Sequence, residues 1–241
     1  MPKLTLPLAE RMEVAERTMS FAFDLQGQNF QFRPGQYNTV TLINPLYQDE
    51  EGNTRSFSIA SSPGGPFILI ATRMRGSAFK RTLAEVPLGT PVNFTGPLGS
   101  FTLPQDAATP IALIAGGIGV TPFRSMIKHV TEEKLPHKVT LIYSNRTPRD
   151  APFLDELRGW ERENPNFRFI PTMTKPEASK EVWTGRTGYI DAAFLRGELD
   201  DPNRFISFVA GPPEMVDEVA KALIEAGASE DRVRTEQFSG Y

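Results

Sequence analysis

The pattern of apolar and polar residues changes partway along the chain. Between Thr18 and Phe101, short runs alternate apolar with polar residues, and turns rich in glycine, proline and acidic residues separate them. Strands are predicted at 21–25, 30–32, 38–43, 55–59, 67–72 and 92–96. Short strands at this spacing are typical of an antiparallel β-barrel or sandwich. A single helix is predicted from Ser77 to Val86, with Ser77 as its N-cap.

After residue 104 the apolar runs become nearly continuous and alternate with helical patterns. Strands are predicted at 111–115, 138–143, 167–171, 205–210 and 232–238, and helices at 121–135, 152–163 and 213–226. Buried strands that alternate with helices indicate a parallel sheet covered by helices on both faces. The sequence therefore predicts two domains, an antiparallel β-barrel at 1–104 and an α/β domain with a parallel sheet at 105–241.

The segment Ile111 to Pro122, I-A-L-I-A-G-G-I-G-V-T-P, joins a buried strand to a glycine-rich turn and a helix. Ligands of parallel sheets bind at the carboxyl ends of the strands, so this turn is a candidate nucleotide site. Its glycines do not have the G-x-G-x-x-G spacing of the usual dinucleotide fingerprint, and no acidic residue ends the next strand. Taken alone, the segment is equally compatible with a plain strand-to-helix turn.

Composition excludes several kinds of chemistry. The chain has no cysteine, so it forms no disulfide and offers no thiolate nucleophile or cysteine-ligated iron–sulfur cluster. The two histidines, His129 and His137, are predicted at the surface, and no metal site is expected. Catalysis would then depend on an organic cofactor.

The charge balance gives no indication of a nucleic-acid or membrane partner. Lys and Arg total 26 against 29 for Asp and Glu, a net charge of −3. No apolar run approaches the 18 or so residues of a transmembrane helix, and no signal-peptide pattern begins the chain. A cytoplasmic location is expected.

The segment R-S-F-S-I at 55–59 concentrates candidate binding residues on one strand. By the two-residue period of a strand, Arg55 and Phe57 share one face while Ser56 and Ser58 share the other. A cation beside an aromatic ring and hydroxyls suits a ligand with an anionic end and a flat ring, although an ordinary half-buried strand has the same pattern. Further along, Gly76–Ser77 opens the predicted helix, whose free N–H groups suit a phosphate.

Five motifs in order resemble those of the ferredoxin–NADP reductase superfamily of flavoproteins. They are R-S-F-S (55–58), the Gly76–Ser77 helix start, G-P-L-G-S-F (96–101), G-G-I-G-V-T-P (116–122) and A-G-P-P-E-M (210–215). The resemblance extends over nearly the whole chain. It implies a single-chain reductase without an iron–sulfur domain, in which the barrel binds FAD and the α/β domain binds NADP or NAD.

The resemblance also implies roles around the flavin. Phe57 would lie against the flavin ring, Ser58 near its N5 atom, and Arg55 on the pyrophosphate, where a forked guanidinium suits two oxygens. Other residues implied at the FAD site are Ser56, Ile59, Arg73, Gly76, Ser77 and Tyr241. The shielding aromatic at the end of the chain would be Tyr241 or Phe238.

For the nicotinamide nucleotide, the resemblance implies that Thr121 caps the helix and lies near the nicotinamide. The residues implied with it are Gly116, Gly117, Gly119, Pro122, Gly211, Pro212 and Met215. Arg146, Thr174 and Lys175 would favour NADPH slightly over NADH, unless the two cations are only solvated charges. Arg186 would be a further phosphate contact. One departure is Ala210, where the family commonly has a cysteine near the nicotinamide.

The function that follows is an FAD-dependent NAD(P)H oxidoreductase. Hydride would pass from the nicotinamide to flavin N5, and single electrons would then pass to a separate ferredoxin, flavodoxin or cluster protein. Ser58, Thr121 and Glu236 are the expected catalytic residues. Two alternatives are a flavin reductase that uses flavin as a substrate, and a non-catalytic electron-transfer subunit of an oxygenase or dehydrogenase.

Overall fold

The first half of the chain forms an antiparallel sheet, one of two six-stranded sheets in the protein. The structure is a computed structural model that describes residues 2–238. The strands of the antiparallel sheet are β1 (Lys3–Ala15), β2 (Thr18–Asp24), β3 (Tyr37–Leu42), β4 (Thr54–Ser58), β5 (Phe67–Arg73) and β6 (Pro91–Leu98), and α1 (Ala78–Glu85) follows β5. The strand order is β4-β3-β6-β1-β2-β5. The predicted antiparallel N-terminal domain is confirmed.

One apolar core shows that this sheet is curled. Val40 of β3, Phe94 of β6 and Ile70 of β5 belong to the same cluster of buried side chains, although β3 and β5 lie far apart in the strand order. Phe79 of α1 joins that cluster and closes it on one side. Strands from both ends of the sheet can share a core only if the sheet wraps around it, as in a barrel.

One strand prediction for this half was wrong, and one strand was missed. Residues 30–32 form no strand, because Phe30 is buried in the core and its ring packs on Phe32 while both sides of β3 are taken by β4 and β6. The 13-residue strand β1 was missed. Its register shifts at two places, and it pairs with β6 through its first residues and with β2 through its last, so no single period runs along it.

The second sheet is parallel throughout. Its strands are β7 (Ile111–Gly116), β8 (Val139–Asn145), β9 (Phe167–Met173), β10 (Arg186–Thr187), β11 (Ile206–Gly211) and β12 (Val233–Gln237), in the order β10-β9-β8-β7-β11-β12. The helices are α2 (Val120–Glu132), α3 (Leu154–Glu163), α4 (Ala192–Leu199) and α5 (Pro213–Glu225). Neither β10 nor α4 was predicted.

Helices cover both faces of this sheet, as the apolar pattern predicts. Leu113 of β7 packs with the cluster that contains Phe123 of α2 and Trp160 of α3. The neighbouring Ile114 packs with Leu195 of α4 and its cluster on the other face. The strand order reverses between β7 and β11, and a crevice at the carboxyl ends of such a pair is the usual ligand site of open α/β sheets.

The two sheets are joined by polar contacts from α2. The guanidinium of Arg124 donates to the carbonyl of Ala60, and Ser125 Oγ donates to the carbonyl of Ser61 at 2.6 Å. Both carbonyls belong to the segment that leaves β4. These contacts fix the helix after the glycine turn against the strand that carries R-S-F-S.

Two expectations drawn from composition can be compared with the structure. His137 is 5% exposed and its Nε2 lies 2.9 Å from the carbonyl oxygen of Pro104, so the prediction of a surface histidine was wrong there. Within residues 2–238, none of the helices combines the length and the apolar character needed to cross a membrane.

Candidate functional site

A cleft of about 760 Å³ opens where the two sheets meet. The barrel contributes side chains from β4, β5 and α1, and the α/β domain contributes the start of α2 and the end of β12. Among the residues expected at the site, the cleft is lined by Arg55, Ser56, Phe57, Ser58, Arg73, Ser77, Thr121, Glu236 and Phe238. The structure therefore brings residues from both predicted domains into one space.

The inner part of the cleft carries two hydroxyls, one from each domain. Ser58 ends β4 and is 8% exposed, while Thr121 lies in the first turn of α2 and is 2% exposed. Thr121 is not the N-cap, because a 3-10 turn at Gly117–Gly119 precedes α2 and moves the cap to Gly119. Thr121 Oγ1 instead donates to the carbonyl of Ile118 at 3.0 Å, which fixes the direction of its side chain.

The outer part of the cleft is cationic. Arg55, Arg73, Arg75 and Lys80 line it, and we call these four residues the cationic end. Lys80 Nζ donates to the carbonyl of Arg73 at 2.9 Å. Burial lowers the pKa of Lys80, and the nearby charges of Arg75 and Arg55 lower it further. Four positive side chains held this close together suit a ligand with more than one negative charge.

Carboxylates of the turn at 49–52, the acidic turn, pair with Arg55 of the cationic end and with the start of α1, while Arg73 lies 3.6 Å from Asp150 Oδ1. Glu51 Oε2 lies 2.6 Å from an Arg55 nitrogen, and Asp49 Oδ1 lies 3.8 Å from the same group. Asp49 Oδ2 also accepts from the backbone N–H of Ala78 at 2.8 Å, at the start of α1. Ser77 caps that helix by accepting from the N–H of Lys80, as predicted. The acidic turn thus takes the donors that the resemblance assigns to a pyrophosphate.

Close packing requires glycine at position 119 and leaves little space at Gly116, the last residue of β7. A Cβ on Gly119 would lie 2.2 Å from the carbonyl oxygen of Ala210, and a Cβ on Gly116 would lie 3.0 Å from Met215 Sδ and 3.2 Å from Pro212. The backbone of β11 therefore lies directly against Gly119, and Met215 and Pro212 lie close to Gly116. Ala210, where the family commonly has a cysteine, is fully buried at this meeting point.

The remaining residues of the predicted nicotinamide site lie around the same meeting point. Gly117 has a positive φ of 52°, and Pro122 is buried in the first turn of α2. A Cβ on Gly211 would lie 3.1 Å from Met215 Sδ. These residues, with Gly116, Gly119 and Pro212, surround the carboxyl ends of β7 and β11.

Three residues predicted to select the coenzyme lie together, but away from the cleft. The N–H of Lys175 donates to the carbonyl of Arg146 at 2.8 Å, and the N–H of Thr174 donates to that of Asn145 at 2.8 Å. These bonds join the carboxyl ends of β8 and β9, where the side chains of Arg146 and Lys175 are exposed. Arg186 lies on β10, and its guanidinium pairs with the buried carboxylate of Glu198.

Two of the residues implied at the FAD site do not line the cleft, and some residues that line it were not predicted. Ile59 is fully buried in the barrel core, and Gly76 is exposed before α1. The cleft residues that sequence reasoning missed include Tyr37, Glu51, Arg75, Lys80 and Gln237. Lys80 follows Ser77 by three residues and so shares its side of the helix, which is a pattern that could have revealed it.

Glu236, in the inner cleft, has a raised pKa and a carboxylate oxygen without a hydrogen-bond partner among the described residues. Burial raises its pKa from 4.5 to about 7. Its Oε2 atom is buried and has no hydrogen-bond partner among the described residues. Phe238 follows it, and the N–H of Phe238 donates to the carbonyl of Gly211 at 2.9 Å. Tyr241, the other candidate for the shielding aromatic, lies outside the described residues.

We expect Glu236→Gln to stabilise the protein at pH 8 but not near pH 4.5. The folded pKa of about 7 lies above the ordinary value of 4.5, so the wild-type chain loses stability as pH rises between them and the loss is complete above about 7. The gain at pH 8 should be about 1–3 kcal/mol, measured by urea unfolding. Glu230→Gln, at an exposed position, is the control. The same pH dependence in Glu236→Gln and wild type would contradict the assignment.

Two family models match the chain in the order of its two sheets. The oxidoreductase FAD-binding domain matches residues 5–103, and the oxidoreductase NAD-binding domain matches residues 113–221. The first range contains the curled antiparallel sheet, and the second contains most of the parallel sheet.

Curated relatives include reductases and reductase components. The chain is 31% identical to ferredoxin–NADP reductase B of Sorangium cellulosum over 88% of this chain and 87% of the relative. It is 30% identical to the glycine betaine monooxygenase reductase subunit of Chromohalobacter salexigens and 29% identical to the propane 2-monooxygenase reductase component of Rhodococcus jostii. Those matches take 92% and 87% of this chain but span only 60% and 56% of the relatives' own lengths.

Solved structures of low sequence identity share the fold. The ferredoxin NADP+ reductase of Neisseria gonorrhoeae, with bound FAD and NADP, has a TM-score of 0.79 at 18% identity, with 98% of both chains covered. The flavohem-like FAD/NAD binding domain of nitric oxide dioxygenase from Vibrio cholerae has a TM-score of 0.81 at 20% identity, with coverage of 97% and 98%. Both family models and a relative of similar length therefore agree with the ordered motifs, and the chain belongs to the ferredoxin–NADP reductase superfamily.

Proposed function

We propose that this chain is an FAD-dependent NAD(P)H oxidoreductase that delivers electrons to a separate acceptor. The observation that carries the proposal is the cleft itself. A cationic end from the barrel and a group of polar side chains from both domains, Ser58, Thr121 and Glu236, line one space of about 760 Å³. We take residues 1–104 as the FAD-binding domain and 105–241 as the NAD(P)-binding domain.

The residues of the cleft fit FAD. Arg55, Arg73 and the N-terminus of α1 are donors suited to a pyrophosphate, and the half-buried ring of Phe57 suits a flat isoalloxazine. Bound FAD would supply two-electron chemistry toward the nicotinamide and one-electron chemistry toward the acceptor. The protein would supply binding, orientation and a defined electrostatic environment.

The side chains of the inner cleft would act as positioners and as one proton site. Ser58 offers a hydroxyl at the end of β4, and Thr121 offers a methyl and a fixed hydroxyl at the start of α2. Glu236, with its pKa raised by burial to about 7, can hold a proton near neutral pH and release it to a neighbouring group. Phe238 supports the proposal of a shielding aromatic because it also lines the cleft, while that role for Tyr241 remains a prediction.

We propose NADPH as the preferred coenzyme. Arg146 and Lys175 present two exposed cations on adjacent strand ends, and the Thr174 hydroxyl lies between them in sequence. No carboxylate of residues 2–238 forms an ion pair with either cation. Two unpaired cations would bind a 2′-phosphate better than a free ribose hydroxyl.

The proposed acceptor is a separate ferredoxin, flavodoxin or cluster protein. This chain has no cysteine to hold a cluster of its own, and relatives are named as reductase components of oxygenases or as a ferredoxin–NADP reductase. The cytoplasmic location expected from the sequence stays a prediction.

One observation favours the flavin reductase alternative. Asp49 and Glu51 already neutralise Arg55 and the start of α1, so they would compete with the pyrophosphate and weaken FAD binding. A loosely held flavin behaves as a substrate rather than as a resident cofactor.

The experiment that tests the proposed function begins with the flavin content of the purified chain. Anaerobic stopped-flow mixing with NADPH and with NADH then follows loss of flavin absorbance, and ferricyanide reduction reports turnover. We expect bound FAD, reduction by NADPH faster than by NADH, and ferricyanide turnover. A colourless protein that turns over added free flavin would favour the flavin reductase, and no reduction by either coenzyme would refute the proposal.

We expect Arg146→Ala and Lys175→Ala each to raise KM for NADPH about tenfold while changing KM for NADH less than twofold, since each removes a charge-assisted contact. Steady-state kinetics with both coenzymes measure this. Lys180→Ala is the matched control, because Lys180 is an exposed lysine five residues from Lys175. Equal changes for NADPH and NADH would contradict the 2′-phosphate assignment.

We expect Glu51→Gln to tighten FAD binding about two- to fivefold, because it removes a competing and mostly exposed ion pair with Arg55. Fluorescence titration of flavin-free protein measures the Kd. Glu50→Gln removes the same charge from the same turn at an exposed position and is the control. Weaker binding by Glu51→Gln would mean that Glu51 holds Arg55 in place for the ligand instead.

A further inference from the structure

One arginine joins three segments of the protein at the boundary between the sheets. Arg124 of α2 is 7% exposed. Its Nε and one terminal nitrogen donate to the two carboxylate oxygens of Glu156 on α3, at 2.7 and 2.6 Å. The other terminal nitrogen donates to the carbonyl of Ala60, which belongs to the barrel. The same guanidinium lies 4.7 Å from the Phe153 ring centre and 5.5 Å from that of Trp160.

This arginine is close in sequence to the inner cleft on both sides of the boundary. Arg124 follows Thr121 by three residues, which is about one helical turn of α2. Ala60 follows Ser58 by two residues on the segment that leaves β4. The hydrogen bond from Arg124 to Ala60 therefore links the helix that carries Thr121 to the strand that carries Ser58. Ser125 reinforces the link through its 2.6 Å bond to the carbonyl of Ser61.

All three nitrogens of the Arg124 guanidinium donate hydrogen bonds. One edge binds both oxygens of Glu156, and the remaining terminal nitrogen is then directed at Ala60. A lysine has a single nitrogen and cannot make these contacts together. Glu156 and the two aromatic rings, all from the α3 region, fix the direction of the fork, so the position of the barrel segment follows from the packing of α3 on α2.

Resting on the proposed function, we propose that Arg124 is a positioning residue for hydride transfer, oriented by Glu156. It sets the separation between Ser58 and Thr121, and hence between the flavin and nicotinamide sites on either side of the boundary. Hydride transfer is steep in distance, since a misplacement of 1 Å can cost roughly 100-fold in rate. Binding of each ligand depends mainly on residues of one domain and is far less sensitive to that separation.

The test compares Arg124→Lys and Arg124→Met with wild type in the chain of 241 residues. Arg168→Lys is the matched control, since Arg168 also donates to a glutamate, Glu198, but lies away from the boundary with the barrel. The measurements are Kd for FAD, Kd for NADP+, the rate of flavin reduction by NADPH, and the long-wavelength charge-transfer absorbance between reduced flavin and NADP+. The last measurement reports ring contact without turnover.

We expect Arg124→Met to lower the reduction rate at least tenfold and to weaken the charge-transfer band, while both Kd values change less than threefold. Arg124→Lys should fall between Arg124→Met and wild type, and Arg168→Lys should match wild type. Unchanged rate and band in a folded Arg124→Met protein would overturn the proposal. A rate loss matched by an equal rise in Kd would also overturn it, because it would indicate a structural role alone.

A distance measurement tests the same link without any cofactor. The chain has no cysteine, so spin labels can be placed at Leu88→Cys in the barrel and Ile224→Cys on α5, which are 56% and 44% exposed. Arg124→Lys should broaden or shift the distance distribution, and Arg168→Lys should leave it unchanged; an unchanged distribution in Arg124→Lys would overturn the proposal. If the wild-type flavin is not reduced by either coenzyme, the proposed function fails, while this distance measurement still decides whether Arg124 fixes the two domains.

Discussion

The buried guanidinium of Arg124 is the contact between the two domains that has the most partners around it, since it bonds to Glu156 and Ala60 and lies near two aromatic rings. A charge that is 7% exposed is tolerated only because Glu156 and the Ala60 carbonyl together satisfy it. Glu156 is 32% exposed, so removing it should cost less than the about 3–5 kcal/mol typical of a fully buried pair. Other contacts cross the same boundary: an Arg73 nitrogen lies 3.6 Å from Asp150 Oδ1, and the N–H of Glu16 donates to the carbonyl of Arg149 at 2.7 Å.

Charge balance is the second constraint on the cleft. The cationic end would repel itself without anions, and burial of Lys80 together with the charges of Arg75 and Arg55 lowers its pKa. In this structure Asp49 and Glu51 of the acidic turn pair with Arg55, and Asp150 of the α/β domain pairs with Arg73. A pyrophosphate would satisfy the same donors, so ligand and acidic turn are alternatives at the same place. Flavin affinity then depends on how much more strongly these donors bind a pyrophosphate than they bind the acidic turn.

Strands with a regular hydrophobic period were predicted well from the sequence, whereas contacts between residues far apart in the chain were not. Continuous apolar runs located four of the six parallel strands, the strand at the end of the chain was predicted separately, and two-residue alternation located most of the barrel. The strand β1 was missed because its register shifts break the period. At the site, residue types within ordered motifs pointed to Arg55, Ser58 and Thr121, which line the cleft together with the expected Glu236. The pairing of Asp49 with the start of α1 joins residues 29 positions apart, and no local pattern encodes it.

The sequence identifies the glycine turn after β7 as a motif, but only the structure shows why glycine is needed there. Gly119 is required because the carbonyl of Ala210 lies 2.2 Å from the place of its Cβ, so packing of β11 against the turn is enough to exclude any side chain. The same closeness fixes where the end of β11 lies relative to the first turn of α2. Ala210 is fully buried there, so its side chain contributes to this packing and offers no polar group. Efficient hydride transfer in this chain would therefore not depend on a thiol at position 210. The relative position of the flavin and nicotinamide sites would depend instead on the backbone around Gly119 and on the contacts of Arg124.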